Sequence, residues 1–232
     1  MFEVFSKDIV KDAISTALSE DITRKFEEKL KASLAPFTEV EAKALVNIIE
    51  SAMYHASDPV RDLVEVNLVS IIQLARAVKS QARAPFGGII ARGNELTATN
   101  VDAEMFEYVW GATGRTTFEN TLTSVGTFDY IGTEASPQSV AEEEGYIILG
   151  FIDPVAEPVV HRAQLIKDRT EYQYVSLKFE YAKDYPLAAL PEPWIILPEQ
   201  SFHIKVKNKA TGRTKLHPIA FKICRAKVLL SL

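Results

Sequence analysis

Two hydrophobic periods divide this chain. Up to Pro85 the apolar residues recur every three to four positions, the spacing of one helix face. Phe5, Ile9 and Ala13 form one line with Val10, Ile14 and Ala17 beside it, and Ile22, Phe26, Leu30 and Leu34 repeat every four residues. Thr38-Glu39-Val40-Glu41 reads as a capping box heading a third helix, with Val40, Ala44, Ile48 and Ala52 as its apolar line. Asp58-Pro59 opens a fourth, a cap residue followed by proline at the first helical position. Its Leu63, Val64, Val66, Leu68, Val69, Ile71, Ile72 and Leu74 leave it apolar on most sides, so it should sit centrally. No glycine precedes Gly87, which agrees with helix, since glycine costs about 1 kcal/mol in a helix interior.

Beyond Gly88 the period becomes two. Phe202, Ile204 and Val206 alternate with His203, Lys205 and Lys207, and Val175, Leu177, Phe179 and Tyr181 alternate with Tyr174, Ser176, Lys178 and Glu180. Further strands are expected at 88–92, 95–99, 105–110, 122–131, 145–152, 158–166, 194–197 and 219–230, with Asn208 to Gly212 as a hairpin-like loop. Prolines at 154, 158, 186, 191, 193, 198 and 218 fall between these runs. The expected fold is α+β by segregation: about four helices over residues 1–84, then an antiparallel β-sandwich or jelly roll over 85–232. Pro85-Phe86-Gly87-Gly88 makes a plausible hinge between the two.

Composition narrows the function classes. The chain has 232 residues, 47% apolar and 25% charged, which is ordinary for a globular protein. A single cysteine, Cys224, excludes an internal disulfide and a multi-cysteine zinc site. The N-terminus has no apolar signal core, and Glu65, Asn67, Gln73 and Arg76 interrupt the most apolar run, Leu63 to Val78. A soluble chain made in the cytoplasm is expected. Net charge is −5, against wholesale coating of nucleic acid, but it is unevenly spread. Residues 85–160 hold 2 basic and 12 acidic groups, whereas 161–232 hold 13 and 6.

No motif names a reaction. The histidines at 55, 161, 203 and 217 lack metal-ligand spacing. Gly111 to Thr117 lacks the Gly-Lys-Ser/Thr ending of a phosphate loop and reads as a loop between strands. Glu142-Glu143-Glu144 cannot all point one way on an extended chain and read as a solvated turn, and no spacing selects a glycosidase pair from Asp129, Asp153 and Glu157. Cys224 lies in an apolar strand with His217 the nearest base in sequence, and burial as a small apolar residue is the better reading. No catalytic residue, metal or cofactor is assigned, and the chain is expected not to be an enzyme. The one basic concentration, Lys205, Lys207, Lys209, Arg213 and Lys215, should share a surface patch. Phosphates of nucleic acid, the acidic segment of a neighbouring copy and plain solvent all remain open as its partners.

The closing segment joins a proline-bounded apolar strand, Pro193-Trp194-Ile195-Ile196-Leu197-Pro198, to the alternating strand ending at Val206, then a hairpin, then Leu216 to Ile223. Following a helical region, this pattern resembles the last strands of single jelly-roll capsid proteins of icosahedral viruses, including archaeal ones. The resemblance covers roughly residues 115–232 and is one of pattern. It implies a structural subunit of a closed shell, located in the virion, packing against copies of itself and other shell proteins through sandwich and helices, with local contact to packaged nucleic acid left open. The alternative is a virion attachment module recognising a carbohydrate or host protein through Tyr172, Tyr174, Tyr181, Tyr185 or Trp194. An enzyme on the same scaffold would need titratable groups converging in a pocket.

Overall fold

The structure is a computed structural model that describes residues 28, 30–35, 37–54, 56–81, 89–91, 106, 109–110, 118–168, 170–177 and 187–225. Residues 30–34 are helical, whereas the rest of the two N-terminal helices expected from the periodicity lies outside the described residues, as do the 95–99 run and the Pro85–Gly88 segment. Three helices follow, α1 (Glu39–Tyr54), α2 (Asp58–Val66) and α3 (Leu68–Gln81). The capping box at α1 forms as read: Thr38 donates to the Glu41 carboxylate from its N–H at 2.8 Å and its hydroxyl at 2.9 Å. Lys79 of α3 donates to the same carboxylate oxygen at 2.8 Å, tying the ends of two helices together. Burial works against ionising Glu41, but the Lys79 and Thr38 hydrogen bonds and the Lys79 charge outweigh it and hold the carboxyl below its ordinary value.

Two helical expectations change. The buried face of α1 is Ala42, Leu45, Val46, Ile49 and Met53, while Val40 is exposed. Two parallel lines of apolar residues run along this helix, and the line with the larger side chains takes the core. The single helix expected from Asp58 onward is broken at Asn67 into α2 and α3. Asn67 donates its side-chain amide to the Leu63 carbonyl at 2.7 Å, competing with the backbone bond to the same oxygen.

Among the described residues eleven strands follow: β1 (Ile89–Ala91), β2 (Asn120–Leu122), β3 (Thr127–Ile131), β4 (Gln138–Ser139), β5 (Glu144–Ile152), β6 (Val160–Lys167), β7 (Thr170–Ser176), β8 (Leu187–Ile196), β9 (Ser201–Asn208), β10 (Gly212–Thr214) and β11 (His217–Arg225). They form one sheet of order β1-β11-β5-β8, a second of order β3-β9-β6-β7 with β4 added on β9, and a β2-β10 ribbon. Every pairing is antiparallel. The protein is thus mostly antiparallel sheet with a few helices.

The sheets meet through aromatic rings. Phe202 of β9 lies 5.5 Å from Trp194 of β8 and 5.9 Å from Tyr146 of β5, centroid to centroid. The helices pack on the opposite face of the first sheet, with α3 against β5, β8 and β11. A Cβ on Gly145 would stand 2.6 Å from Leu74 and 2.9 Å from Val78 of that helix. Covered on both sides, β5 is buried from Gly145 to Phe151, so it reads as an unbroken apolar run and not an alternation.

Other expectations on the strands need correction. The 105–110 run is not a strand at its described residues; Phe106 and Trp110 are buried, and Val109 N–H donates to the Tyr130 carbonyl. The 122–131 run is two strands parted at Ser124–Gly126. Pro191 and Pro193 lie inside β8, where residues 190–193 form an excursion between the Gly150↔Ala189 and Ile148↔Trp194 pairs. An edge strand tolerates prolines there because their missing N–H groups face no neighbour. The loop after Asn208 is not a hairpin between neighbours, since β9 pairs with β3, β4 and β6 while β10 crosses to β2. No helix among the described residues is long and apolar enough to cross a membrane.

Candidate functional site

The five basic residues singled out by the sequence divide between two elements. Lys205 and Lys207 lie on β9, on the face turned away from Phe202, Ile204 and Val206, and Lys209 lies exposed in the turn that follows. Lys205 pairs with Glu134 at 3.2 Å. Arg213 and Lys215 belong to the β2-β10 ribbon and its exit, where both pair with Glu119. Desolvation of Glu119 raises its carboxyl, but the hydrogen bonds and charges of these two partners together outweigh it and hold the group below the ordinary value. Three of the five therefore have a carboxylate partner, two of them sharing one carboxylate.

Strand pairing adds two residues to the β9 group. Arg162 of β6 stands directly opposite Lys207, and Gln164 opposite Lys205. On the next strand, Tyr174 faces Gln164, and its ring lies 5.0 Å from the Arg162 guanidinium. Tyr174 is 48% exposed, so ring and guanidinium form a stack open to solvent. Asp129 of β3 pairs in register with Lys205, so carboxylates gather at that lysine while Arg162 and Lys207 face one another. Arg162 was not singled out by the sequence. Its place among Ala163 and Leu165 marks it as solvent-facing, but only the β6-β9 register reveals what it faces.

The remaining titratable candidates act as fasteners. Asp153, with no exposed surface, accepts the Thr214 hydroxyl at 2.6 Å on Oδ2 and the Lys215 and Val155 N–H groups at 3.1 and 3.3 Å on Oδ1. That ties the end of β5 to β10 and leaves no oxygen idle. Asp129 belongs to the other sheet and Glu157 lies exposed in a bend. Of the acidic triplet, Glu142 is exposed while Glu144 turns in to pair with the buried Lys222 at 2.7 Å. Lys222 also lies 5.6 Å from the Tyr146 ring. Cys224 is half-buried. It stands seven positions from His217 along one strand, about 23 Å at ordinary strand rise, so the two cannot form a thiolate–imidazole pair.

Burial holds His203 and His217 below the ordinary imidazole value. For His203 the Lys205 charge adds to the depression while Asp129 and Glu134 oppose it; for His217 Asp153 opposes it and Lys215 adds to it. His217 packs edge-on against Phe118 at 5.3 Å. His161 is half-buried in β6. His55, the Gly111–Thr117 loop, Tyr181, Tyr185 and the Tyr172 side chain lie outside the described residues. Trp194 is fully buried in the core and is not a stacking platform.

Among the described residues no three His, Cys, Asp or Glu side chains come close enough to hold a metal ion. What the surface offers is a group of exposed cations and a half-exposed ring on one sheet face. Compared with known proteins, the chain matches no family model and no curated sequence.

Proposed function

We propose that this chain is a structural subunit of a viral capsid or a similar self-assembling shell. Strand order carries the reading. With the separate β2-β10 ribbon and the two-residue β4 set aside, eight strands remain, and numbered afresh along the chain they form sheets of order 1-8-3-6 and 2-7-4-5. The chain crosses from sheet to sheet at nearly every connection, which is the double Greek-key path of a jelly roll. Jelly rolls serve viral shells, lectins and cupins, so fold alone does not select the function.

Two further features support the shell. Exposed cations such as Lys207 and Lys209 and exposed carboxylates such as Glu142 and Glu157 leave both signs of charge on the surface of one subunit, which favours heterologous contacts between copies. Among the described residues the helices pack on one of the two sheets, and the other presents the exposed Arg162, Tyr174 and Lys207 to a partner. Sedimentation velocity across protein concentration and ionic strength tests the proposal. Large discrete assemblies at low salt that come apart as salt rises are the expected result, because charge between copies is screened within about 10 Å at 0.1 M. A mass fixed at one to three chains under all conditions would instead favour the attachment module.

A further inference from the structure

We propose that the outer face of the β3-β9-β6-β7 sheet binds single-stranded nucleic acid, with Arg162, Lys207 and Tyr174 at its centre. The proposal stands on this surface alone and holds whether or not the chain builds a shell. Arg162 and Lys207 lie directly opposite one another on adjacent strands, an arrangement in which like charges repel. Among the described residues neither has a carboxylate partner, although Glu134 and Asp129 stand only one cross-strand pair away at Lys205. A phosphate between the two cations relieves that repulsion. Lys209, exposed in the turn beyond Lys207, extends the positive line.

Charge alone would suit an acidic protein equally well, and Tyr174 decides between them. Its half-exposed ring, with the Arg162 guanidinium 5.0 Å over it, sets an aromatic surface beside the cations. Bases stack on aromatic rings and on arginine planes, whereas a carboxylate side chain has no use for either. Arg162, Lys207 and Tyr174 are all exposed, so an unpaired strand can reach this part of the face.

Fluorescence anisotropy with labelled oligo-dT and oligo-U of about 20 nucleotides tests this at about 50 mM salt. The purified full chain should bind both, with a log–log salt slope of about −2, as two to three phosphate contacts on a single strand require. Arg162→Gln with Lys207→Gln should weaken binding about tenfold, and Tyr174→Ala by a similar factor. Arg213→Gln with Lys215→Gln should leave it unchanged, because those cations already belong to Glu119. Thermal melting of each variant separates lost contact from lost fold. Absence of binding by the unaltered chain would overturn the proposal, as would equal losses from both double variants. So would displacement by polyglutamate as effectively as by unlabelled oligonucleotide, which would assign the face to an acidic protein. Failure here with assembly intact in sedimentation would leave the shell reading untouched.

Discussion

Asn208 has no exposed surface, and both ends of its amide are used. Its Nδ2 donates to the Ser124 and Ala210 carbonyls at 2.8 Å each, and its Oδ1 accepts the Gly126 N–H at 2.8 Å. Asn208→Ala would strand all three backbone groups, so we expect a loss of about 2–4 kcal/mol in denaturant unfolding. Loss below about 0.5 kcal/mol would mean water replaces the amide. Glu50 shows the opposite situation. One of its carboxyl oxygens is buried with no hydrogen-bond partner, and burial pushes the group up to about 7 from an ordinary 4.5. The folded chain therefore keeps a proton that the unfolded chain gives up. Stability from this group is full below about pH 4.5, falls as pH rises through 7, and stays low above. Glu50→Gln should flatten that part of the profile and stabilise the chain at pH 8 by about 1–2 kcal/mol, discounted for partial exposure. An unchanged pH profile would contradict the burial argument. Local polar chemistry is legible in the sequence itself: the Thr38–Glu41 box needs only residues three apart. The partners of the lysine group are not, because Glu134 and Glu119 come from 71 and 94 residues away from Lys205 and Arg213.

At the scale of elements, the contact between α3 and β5 is a tight joint between the helices and the sheets. Gly145 leaves no room for a side chain beneath Leu74 and Val78. Gly145→Val should lift the helix and cost about 1–3 kcal/mol, with hydrogen exchange accelerated in α3 before the β3-β9-β6-β7 sheet. Uniform acceleration over the whole chain would show that the joint does not unfold separately. Period distinguishes helix from strand well, because side-chain spacing of 3.6 and 2 is a local property. It does not give the partners. Asn67 interrupts an apolar run without changing its period, so the break between α2 and α3 is hidden. Pro191 and Pro193 look like strand boundaries, yet an edge strand absorbs them in an excursion. The turn at Asn208 reads as a hairpin in any sequence, and only the β2-β10 pairing shows that the chain changes sheets there.

At the scale of the molecule, the described residues form three layers in order: helices, the β1-β11-β5-β8 sheet, and the β3-β9-β6-β7 sheet. One edge strand of each sheet is a poor template for adding strands. Prolines interrupt β8, and β7 carries a bulge at Tyr172, which no residue of β6 opposes. Copies of this chain should therefore meet through side-chain surfaces and not by extending a sheet at these edges. Exchanging Pro191 and Pro193 for valine would remove one of these blocks, and faster turbidity growth on concentration is the expected result. Unchanged turbidity would show that β8 is protected by something other than its prolines. The most direct measurement on the shell reading is negative-stain electron microscopy of the purified chain, paired with light-scattering mass. Closed, regular particles of megadalton mass are the expected result. Monodisperse monomers to trimers, both alone and with nucleic acid added, would contradict it.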